Sequence, residues 1–163
     1  MLTVSDAALL VGTLSERALT LSCAESCTGG AIASEIVSVS GASRVLRGGI
    51  VAYDPAVKTS LLGVPAESIA RLGVVSSEVA ALMAEGARRV LESDLAVSTT
   101  GVAGPLGGTP ETPVGRVFIG VSGKWGTRVF RETFEGDRDA IRRAAVEASL
   151  SHLLNYLQDH SDL

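Results

Sequence analysis

The sequence predicts an α/β protein: a three-layer α/β/α sandwich with a mixed, mostly parallel sheet and an antiparallel hairpin at one edge. Two observations carry this prediction. Short β-rich runs alternate with segments of helical periodicity through the first part of the chain, which is typical of parallel strands joined by helices. Farther along, two β-rich runs are separated only by a short turn near Gly123 to Gly126, which indicates a hairpin.

The first elements follow from the spacing of apolar residues. Residues 5–17 predict an amphipathic helix, because apolar side chains recur three and four positions apart at Ala7, Leu10, Val11 and Leu14. A strand is expected from Leu19 to about Glu25. The next helix should run from Thr28 to about Val39 and end at Ser40-Gly41, since glycine suits the left-handed position after a helix.

The middle of the chain repeats this alternation. Residues 48–53 form a short β-rich run, and Asp54-Pro55 is a turn that opens another helix. A long helix is expected within 75–93, with a serine cap at Ser76 or Ser77 and arginines in its last turn, which favour the helix dipole. Its predicted inner stripe consists of Val79, Leu82, Met83, Ala87 and Val90.

The last third supplies the rest of the sheet. Residues 94–101 predict a strand that runs into a loop, 101–115, with five glycines and three prolines. The hairpin strands occupy 116–123 and 125–134. The final helix extends from Asp139 to about Gln158, and its apolar line through Val146, Leu150, Leu153 and Leu157 continues backwards to Arg142 and Arg138, which predicts guanidinium groups directed at the end of the sheet.

Length and composition predict one domain over residues 1–163. The chain has 46% apolar and 20% charged residues, as soluble globular domains do. Its net charge is −4 and its Lys and Arg residues are scattered, which argues against a nucleic-acid partner. We expect no membrane association and a cytoplasmic location, because the sequence has neither a signal peptide nor a long uninterrupted apolar run.

The stretch AESCTGG at 24–30 is the first candidate site, because it joins a predicted strand to a predicted helix. Ligands of open α/β sheets bind outside the carboxyl ends of strands, where helix N-termini offer N–H groups. Gly29 and Gly30 would let a ligand approach the backbone, and Ser26 and Thr28 would place hydroxyls in the cleft. The alternative is that the hydroxyls only cap the helix and the glycines only tighten the turn. The motif matches neither a P-loop nor a dinucleotide fingerprint.

Ser26 and Cys27 are the competing nucleophiles of this stretch. Histidine is an improbable base for either, because His152 and His160 belong to the distant C-terminal helix and tail. The chain has two lysines, and the second, Lys124, falls in the hairpin turn. Lys58 follows the 48–53 run and is the candidate base. To act near neutral pH it must lose about 3 pKa units, which burial would favour. The alternative is an ordinary solvated lysine.

A third cluster follows the strand at 94–101. Here Ser98, Thr99 and Thr100 lead into the glycine-rich loop, so hydroxyls and adaptable backbone again lie at a strand's end. The loop is a candidate for substrate binding through Thr100, Gly101, Gly104, Gly107 and Gly108. A plain flexible connection is the alternative. No metal site is expected, since the two cysteines, Cys23 and Cys27, are four apart and no Cys/His set accompanies them.

Several motifs together resemble one family. They are AESCTGG, YDPAVK at 53–58 with GV at 63–64, GVVS at 73–76, STTGVAGPLGG at 98–108, PVG at 113–115 and GDRDAIRR at 136–143. In this order they are similar to the CinA C-terminal domain family, the PncC-type nicotinamide-nucleotide amidases, over about residues 5 to 158. No molybdopterin-binding-like domain precedes them, so the expected form is a stand-alone amidase.

The resemblance implies hydrolysis of the carboxamide of nicotinamide mononucleotide, a small-molecule nucleotide, to nicotinate mononucleotide and ammonia, in pyridine-nucleotide salvage. It places the family's serine on Ser26, its tyrosine on Tyr53 and its lysine on Lys58, with no cofactor and no metal. It also implies a homo-oligomer, a dimer or larger. The family usually has serine where this chain has Thr100, and a different residue type where it has Leu106.

The expected mechanism is acyl transfer. Ser26 attacks the carboxamide while neutral Lys58 accepts its proton, Tyr53 orients the pair or shuttles a proton, and N–H groups at the start of the following helix hold the oxyanion. Arg138, Arg142 and the 101–108 loop are candidates for the phosphate. Two alternatives stay open: an amidase for another small carboxamide, and a non-catalytic nucleotide-binding module associated with competence.

Overall fold

A single five-stranded sheet forms the centre of the protein in the computed structural model, which describes residues 3–161. In chain order the strands are β1 (Leu21–Glu25), β2 (Leu46–Val51), β3 (Leu95–Gly101), β4 (Arg116–Gly123) and β5 (Gly126–Thr133). Their order across the sheet is β2-β1-β3-β4-β5, with β1 parallel to both neighbours and β4 antiparallel to both of its own. Four strands therefore point one way, and the predicted mixed sheet with an edge hairpin is confirmed.

Helices cover both faces of this sheet, which confirms the three-layer prediction. The six α-helices are α1 (Asp6–Glu16), α2 (Ala31–Val37), α3 (Pro55–Leu62), α4 (Ala66–Leu72), α5 (Ser77–Leu91) and α6 (Arg138–Asp159), and a 3₁₀ turn spans Ala42–Arg44. Helices α1, α2 and α6 share one apolar core with the sheet, while α3, α4 and α5 share the other. Within residues 3–161, no helix combines the length and the apolar character that crossing a membrane requires.

The two cores differ in side-chain size. The face of α1 and α6 buries branched residues, including every position of the predicted α6 stripe from Val146 to Leu157. The face of α5 buries small residues instead, namely Ala80, Ala84, Gly86 and Ala87, beside Val79 and Met83. The prediction that Val90 lies on this inner stripe is wrong, because its side chain is 47% exposed, and Leu82 is only partly buried. Small residues let α5 lie close to the sheet and to α3.

One helix boundary and one whole helix depart from the sequence prediction. Helix α2 begins at Ala31 rather than Thr28, because Gly29 and Gly30 adopt φ of +60° and +98°. These left-handed values interrupt a helix and favour glycine. Helix α4 was not predicted at all. It follows Pro65, which provides no side-chain cap, and its seven residues carry no long apolar stripe.

Helix α3 is held in place at both ends, and it carries Lys58. Asp54 caps its first turn by accepting from the N–H of Ala56 at 2.8 Å, and Pro55 follows as the first helical residue. At the other end, Gly63 takes φ of +71° and ends the helix. A side chain at Gly86 of α5 would overlap the carbonyl oxygen of Leu62, so this glycine permits the close contact of α5 with α3.

Substituting Gly86→Ala should therefore destabilise the protein by about 1–3 kcal/mol, because the added methyl group must push α3 away from α5. Urea unfolding followed by far-UV circular dichroism measures the change. Gly12→Ala is the matched control, since Gly12 lies in α1 with no atom within 4 Å of the added carbon, and it should stabilise by about 0.5–1 kcal/mol. If both variants changed the free energy of unfolding by the same amount, Gly86 would not be required for the contact between α5 and α3.

Candidate active site

A cleft of about 300 Å³ opens at the carboxyl ends of β1 and β3, where three candidate regions of the sequence meet. Ser26 follows β1 directly, Lys58 reaches the cleft from α3, and the loop after β3 forms the opposite wall. Because β1 and β3 are parallel neighbours, their carboxyl ends lie side by side at one edge of the sheet. The topology thus brings together residues that are far apart in the chain.

Ser26 and Lys58 form the hydrogen-bonded pair at the base of this cleft. The Lys58 Nζ atom lies 3.0 Å from Ser26 Oγ, and the lysine side chain is 0% exposed. Nζ also donates to the carbonyl oxygens of Ala52 at 2.7 Å and Tyr53 at 3.4 Å. Among the ion pairs of residues 3–161, none involves Lys58. The lysine is therefore not the ordinary solvated residue of the alternative interpretation.

Burial lowers the pKa of the Lys58 amine below its usual value of 10.5, because the charged form loses its hydration. Cys27 and Asp54 act in the opposite direction but do not reverse the shift. A neutral amine has two N–H donors and one lone pair. The carbonyls of Ala52 and Tyr53 accept from the two donors, so the lone pair is left for the hydroxyl proton of Ser26. This arrangement suits a general base for the serine.

Cys27 also borders the cleft, but its environment disfavours a thiolate. Burial raises the pKa of the Cys27 thiol to about 11, although the nearby Thr99 side chain acts in the opposite direction. Burial raises the pKa of Cys23 as well. Both thiols are therefore protonated near neutral pH, and Ser26 is the better candidate nucleophile. Among residues 3–161, no cluster of three His, Cys, Asp or Glu side chains is placed to hold a metal ion.

Glu25 occupies the N-terminus of α2, where ligand-binding N–H groups were expected. Its carboxylate is buried, and it accepts from the N–H of Ile32 at 2.8 Å and of Ala33 at 3.1 Å. A negative charge at a helix N-terminus is favourable, so the protein satisfies this end internally. The expectation that the first N–H groups of this helix hold an oxyanion is corrected for these two groups.

Thr28, Gly29 and Gly30 lie outside the lining of the cleft, contrary to prediction. Thr28 is fully buried, and its hydroxyl shares a hydrogen bond of 2.8 Å with Thr99 rather than facing a ligand. The two glycines serve the turn through their left-handed backbone, which lets the chain reverse from β1 into α2. The geometry of these three residues agrees with the alternative interpretation, in which they shape the turn between β1 and α2.

The two arginines predicted for the phosphate differ in position. Arg142 donates to the carbonyl oxygens of Cys27 at 3.1 Å and Thr28 at 3.0 Å, so it braces the turn and is absent from the lining of the cleft. The main chain of 27–28 accepts from its Nε and Nη2, and its assignment to the phosphate stays a prediction. Arg138 does line the cleft, and its Nη1 donates to the carbonyl of Gly104 at 2.7 Å.

Tyr53 contacts both sides of the site, but by different atoms from those expected. Its side chain is 63% exposed, and its hydroxyl accepts from Arg138 Nη2 at 3.3 Å. Its link to Lys58 is made by the main-chain carbonyl. The prediction that the hydroxyl orients the Ser26–Lys58 pair or shuttles a proton stays a prediction, and the structure gives that hydroxyl a different partner.

The loop after β3 contributes most of its predicted residues to the cleft. Thr100 lines it while donating to the carbonyl of Val74 at 2.8 Å, and Gly101, Gly104 and Gly107 lie on the same wall. Gly108 is outside the lining, because it packs against the backbone of Val114. The loop is therefore part of the site and not merely a connection.

The apolar wall of the cleft was not assigned from the sequence. It consists of Pro55, Val74, Val75, Val102, Ala103 and Leu106. Val74 and Val75 belong to the GVVS stretch at 73–76, which is the sequence signal for these two residues. Leu106 is 86% exposed at the mouth, so it presents an apolar side chain next to the entrance.

The fold and the site define a class: an α/β protein with a buried serine–lysine pair in a cleft at the carboxyl edge of a mixed sheet. Comparison with known families narrows this class. The model of the CinA C-terminal domain matches residues 4–157, and the chain belongs to that family.

Relatives and solved structures agree with this assignment. The chain is 50% identical to a CinA-like protein of Citrifermentans bemidjiense over 88% of its length, and 43% identical to a putative competence-damage inducible protein of Halothermothrix orenii over 89%. In each case it spans about a third of the relative, 35% of the full length.

The structural match covers whole chains. The competence/damage inducible protein CihA from Agrobacterium tumefaciens has a TM-score of 0.89 at 34% identity, with 95% of this chain and 98% of that one covered. A CinA superfamily protein from Escherichia coli has a TM-score of 0.90 at 32% identity, covering 96% of this chain and 94% of that one.

Replacing Glu25 with glutamine should destabilise the protein by about 1–3 kcal/mol, because an amide offers one acceptor oxygen where the carboxylate serves two buried N–H groups. Asp137→Asn is the matched acid-to-amide control at the exposed cap of α6, where Asp and Asn are nearly equivalent. Urea unfolding of both variants measures the difference. Equal small effects would show that the Glu25 carboxylate is not required at the start of α2.

Proposed function

We propose that this protein is an amidohydrolase that converts nicotinamide mononucleotide to nicotinate mononucleotide and ammonia. The observation that carries the proposal is the 3.0 Å contact between Ser26 Oγ and the fully buried amine of Lys58. The substrate comes from the family resemblance, since the catalytic pair by itself does not select one carboxamide. The relatives named above are described by competence or by the CinA family, not by a reaction.

The proposed reaction is an acyl transfer in two halves. Ser26 Oγ attacks the carboxamide carbon and gives its proton to neutral Lys58, and the carbonyl π electrons move onto the oxygen. When the tetrahedral intermediate collapses, the C–N bond breaks and the Lys58 ammonium returns a proton to the leaving nitrogen, which departs as ammonia. Water then attacks the ester carbon and loses a proton to Lys58. The C–Oγ bond breaks, the Lys58 ammonium returns that proton to Ser26 Oγ, and nicotinate mononucleotide is released.

The cleft offers suitable groups for the remainder of this substrate. The apolar wall, with Val74, Val75 and Leu106, can pack against a planar pyridine ring. Arg138 is the cation of the cleft wall, and a guanidinium binds phosphate well. In this proposal Tyr53 links the two regions, because its carbonyl accepts from Lys58 and its hydroxyl accepts from Arg138.

Incubation of the purified protein with nicotinamide mononucleotide should release ammonia, and Ser26→Ala should lower kcat by about 10³-fold or more. Cys27→Ala is the matched control and should retain most of the activity, because its protonated thiol is not the nucleophile. The reverse pattern would transfer the nucleophile to Cys27. If the wild type released ammonia from another carboxamide, such as free nicotinamide, but not from nicotinamide mononucleotide, the proposed substrate would be wrong and the proposed reaction would stand.

The rate should rise with pH as Lys58 loses its proton, with the midpoint of the limb below 10.5 because burial lowers the pKa of the amine. Lys58→Met should remove this limb and lower kcat by about 10²–10⁴-fold. A pH–rate profile of both proteins measures it. A wild-type profile that is flat up to pH 10.5 would rule out the amine as the base.

The same pKa shift makes stability depend on pH. Between the folded and unfolded pKa values of Lys58, the unfolded chain binds the extra proton, so the free energy of unfolding should rise with pH up to about 10.5. Lys58→Met should lack this rise. Urea unfolding at several pH values provides the measurement, and it does not depend on the identity of the substrate.

A further inference from the structure

The hydrogen-bond ladder between β1 and β3 ends with the bond between Ser26 and Thr99. It stops before it reaches the N–H of Gly101, the last residue of β3. In this ladder the N–H groups of alternate β3 residues face β1: Leu95 donates to the carbonyl of Thr20 at 2.9 Å, and the carbonyl of Thr99 accepts from the N–H of Ser26 at 3.0 Å. Because alternate residues of β3 face β1, the next N–H group after that of Thr99 to face β1 is the N–H of Gly101. A ladder that continued would join it to the carbonyl oxygen of Ser26.

The pairing of β3 with β4 confirms this direction. Val102 donates to the carbonyl of Arg116 at 2.9 Å, so its N–H faces β4. Neighbouring residues of a strand direct their N–H groups to opposite sides, so the N–H of Gly101 faces β1. Gly101 pairs with Val117 without sharing hydrogen bonds, as the alternation of an antiparallel pair requires.

The expected acceptor has turned away from this N–H. Strand β1 ends at Glu25, and the carbonyl of Ser26 accepts instead from Gly29 at 3.1 Å as the chain bends toward α2. Within residues 3–161, neither the carbonyl of Ser26 nor any loop or side-chain acceptor is hydrogen-bonded to the N–H of Gly101. This N–H is directed at the position where β1 has just ended, and both Ser26 and Gly101 line the same cleft.

We propose that the backbone N–H of Gly101 donates to the oxyanion that forms when Ser26 attacks the substrate carbonyl. This inference rests on the proposed function and supplies a group that the occupied N-terminus of α2 does not. In the reacting complex, the Oγ–C bond forms, the Ser26 proton passes to Lys58, and the negative charge that develops on the carbonyl oxygen is stabilised by the N–H of Gly101. The strand end presents this donor in a fixed direction, which favours charge stabilisation without reorganisation.

Glycine is required at this position for packing. A Cβ at Gly101 would lie 2.7 Å from Val117 Cγ2 and 2.8 Å from the carbonyl oxygen of Arg116, so any side chain must displace the end of β3 from β4. A conventional substitution would therefore disturb the strand together with the donor. The test must remove the N–H and leave the shape unchanged.

Replacement of Gly101 by glycolic acid meets this requirement, because an ester oxygen takes the place of the N–H group. With nicotinamide mononucleotide as substrate, we expect kcat to fall about 10²–10³-fold while KM changes little. The pH limb assigned to Lys58 should remain. Gly41 provides the matched control: it lies in an exposed turn at the opposite end of the sheet, and its ester variant should keep wild-type kinetics.

The outcomes separate the two proposals. If the wild type releases ammonia and the Gly101 ester is as active as the Gly41 ester, the role of Gly101 is wrong and the proposed function stands. If the wild type releases ammonia neither from nicotinamide mononucleotide nor from another carboxamide such as free nicotinamide, the proposed function fails, and this inference fails with it.

A second measurement does not depend on folding of the ester variant. Pyridine-3-boronic acid added to the ¹⁵N-glycine-labelled protein should form a bond between Ser26 Oγ and boron, with the serine proton passing to Lys58 and boron becoming a tetrahedral anion. The amide proton of Gly101 should then move downfield in the wild type and stay unchanged in Ser26→Ala. Formation of the tetrahedral boronate without movement of the Gly101 signal would overturn the inference.

Discussion

An amine buried without a carboxylate partner is the constraint on which this site depends. A charged lysine in that position loses its hydration, and burial therefore favours the neutral form of Lys58. The surroundings match that form, since two main-chain carbonyls accept from its N–H groups and Ser26 Oγ lies 3.0 Å from Nζ. Burial itself is what lowers the pKa of the proposed base.

The positions of these carbonyls are set by secondary structure and not by the loop alone. Ala52 follows β2, its N–H donates to the carbonyl of Glu25 at 2.8 Å, and Asp54 caps α3 two residues later. Helix α3 then carries Lys58 back over the same carbonyls. The close contact of its C-terminal end with α5, which Gly86 permits, keeps the helix in register with the cleft. The helix that carries Lys58 is therefore packed against α5 at the end away from its capped first turn.

Charged side chains of the protein itself occupy the turn from β1 into α2, where a ligand was expected from the sequence. Glu25 is a buried anion that satisfies the first N–H groups of α2, and Arg142 fixes the same turn from the other side through the carbonyls of Cys27 and Thr28. The stretch AESCTGG thus supplies, through Glu25, the group that binds the start of α2. The polar groups available in the cleft are those of Ser26, the end of β3 and Arg138. Residue type alone did not distinguish Arg142 from Arg138, because both lie one helical turn apart on the same line of α6.

The sequence by itself determined the layered fold, nearly all elements and the Ser26–Lys58 pair, because these depend on local periodicity, turn chemistry and the scarcity of other bases in this chain. It missed α4 and placed Val90 inside, since a short helix without a cap has little local signal and the depth of a stripe depends on its neighbours. Only the tertiary structure decided that Glu25 faces α2, that Arg142 braces the turn and that the carbonyl of Ser26 pairs with Gly29 instead of Gly101. Those facts depend on where one strand ends beside another, and strand pairing joins residues that no local pattern relates.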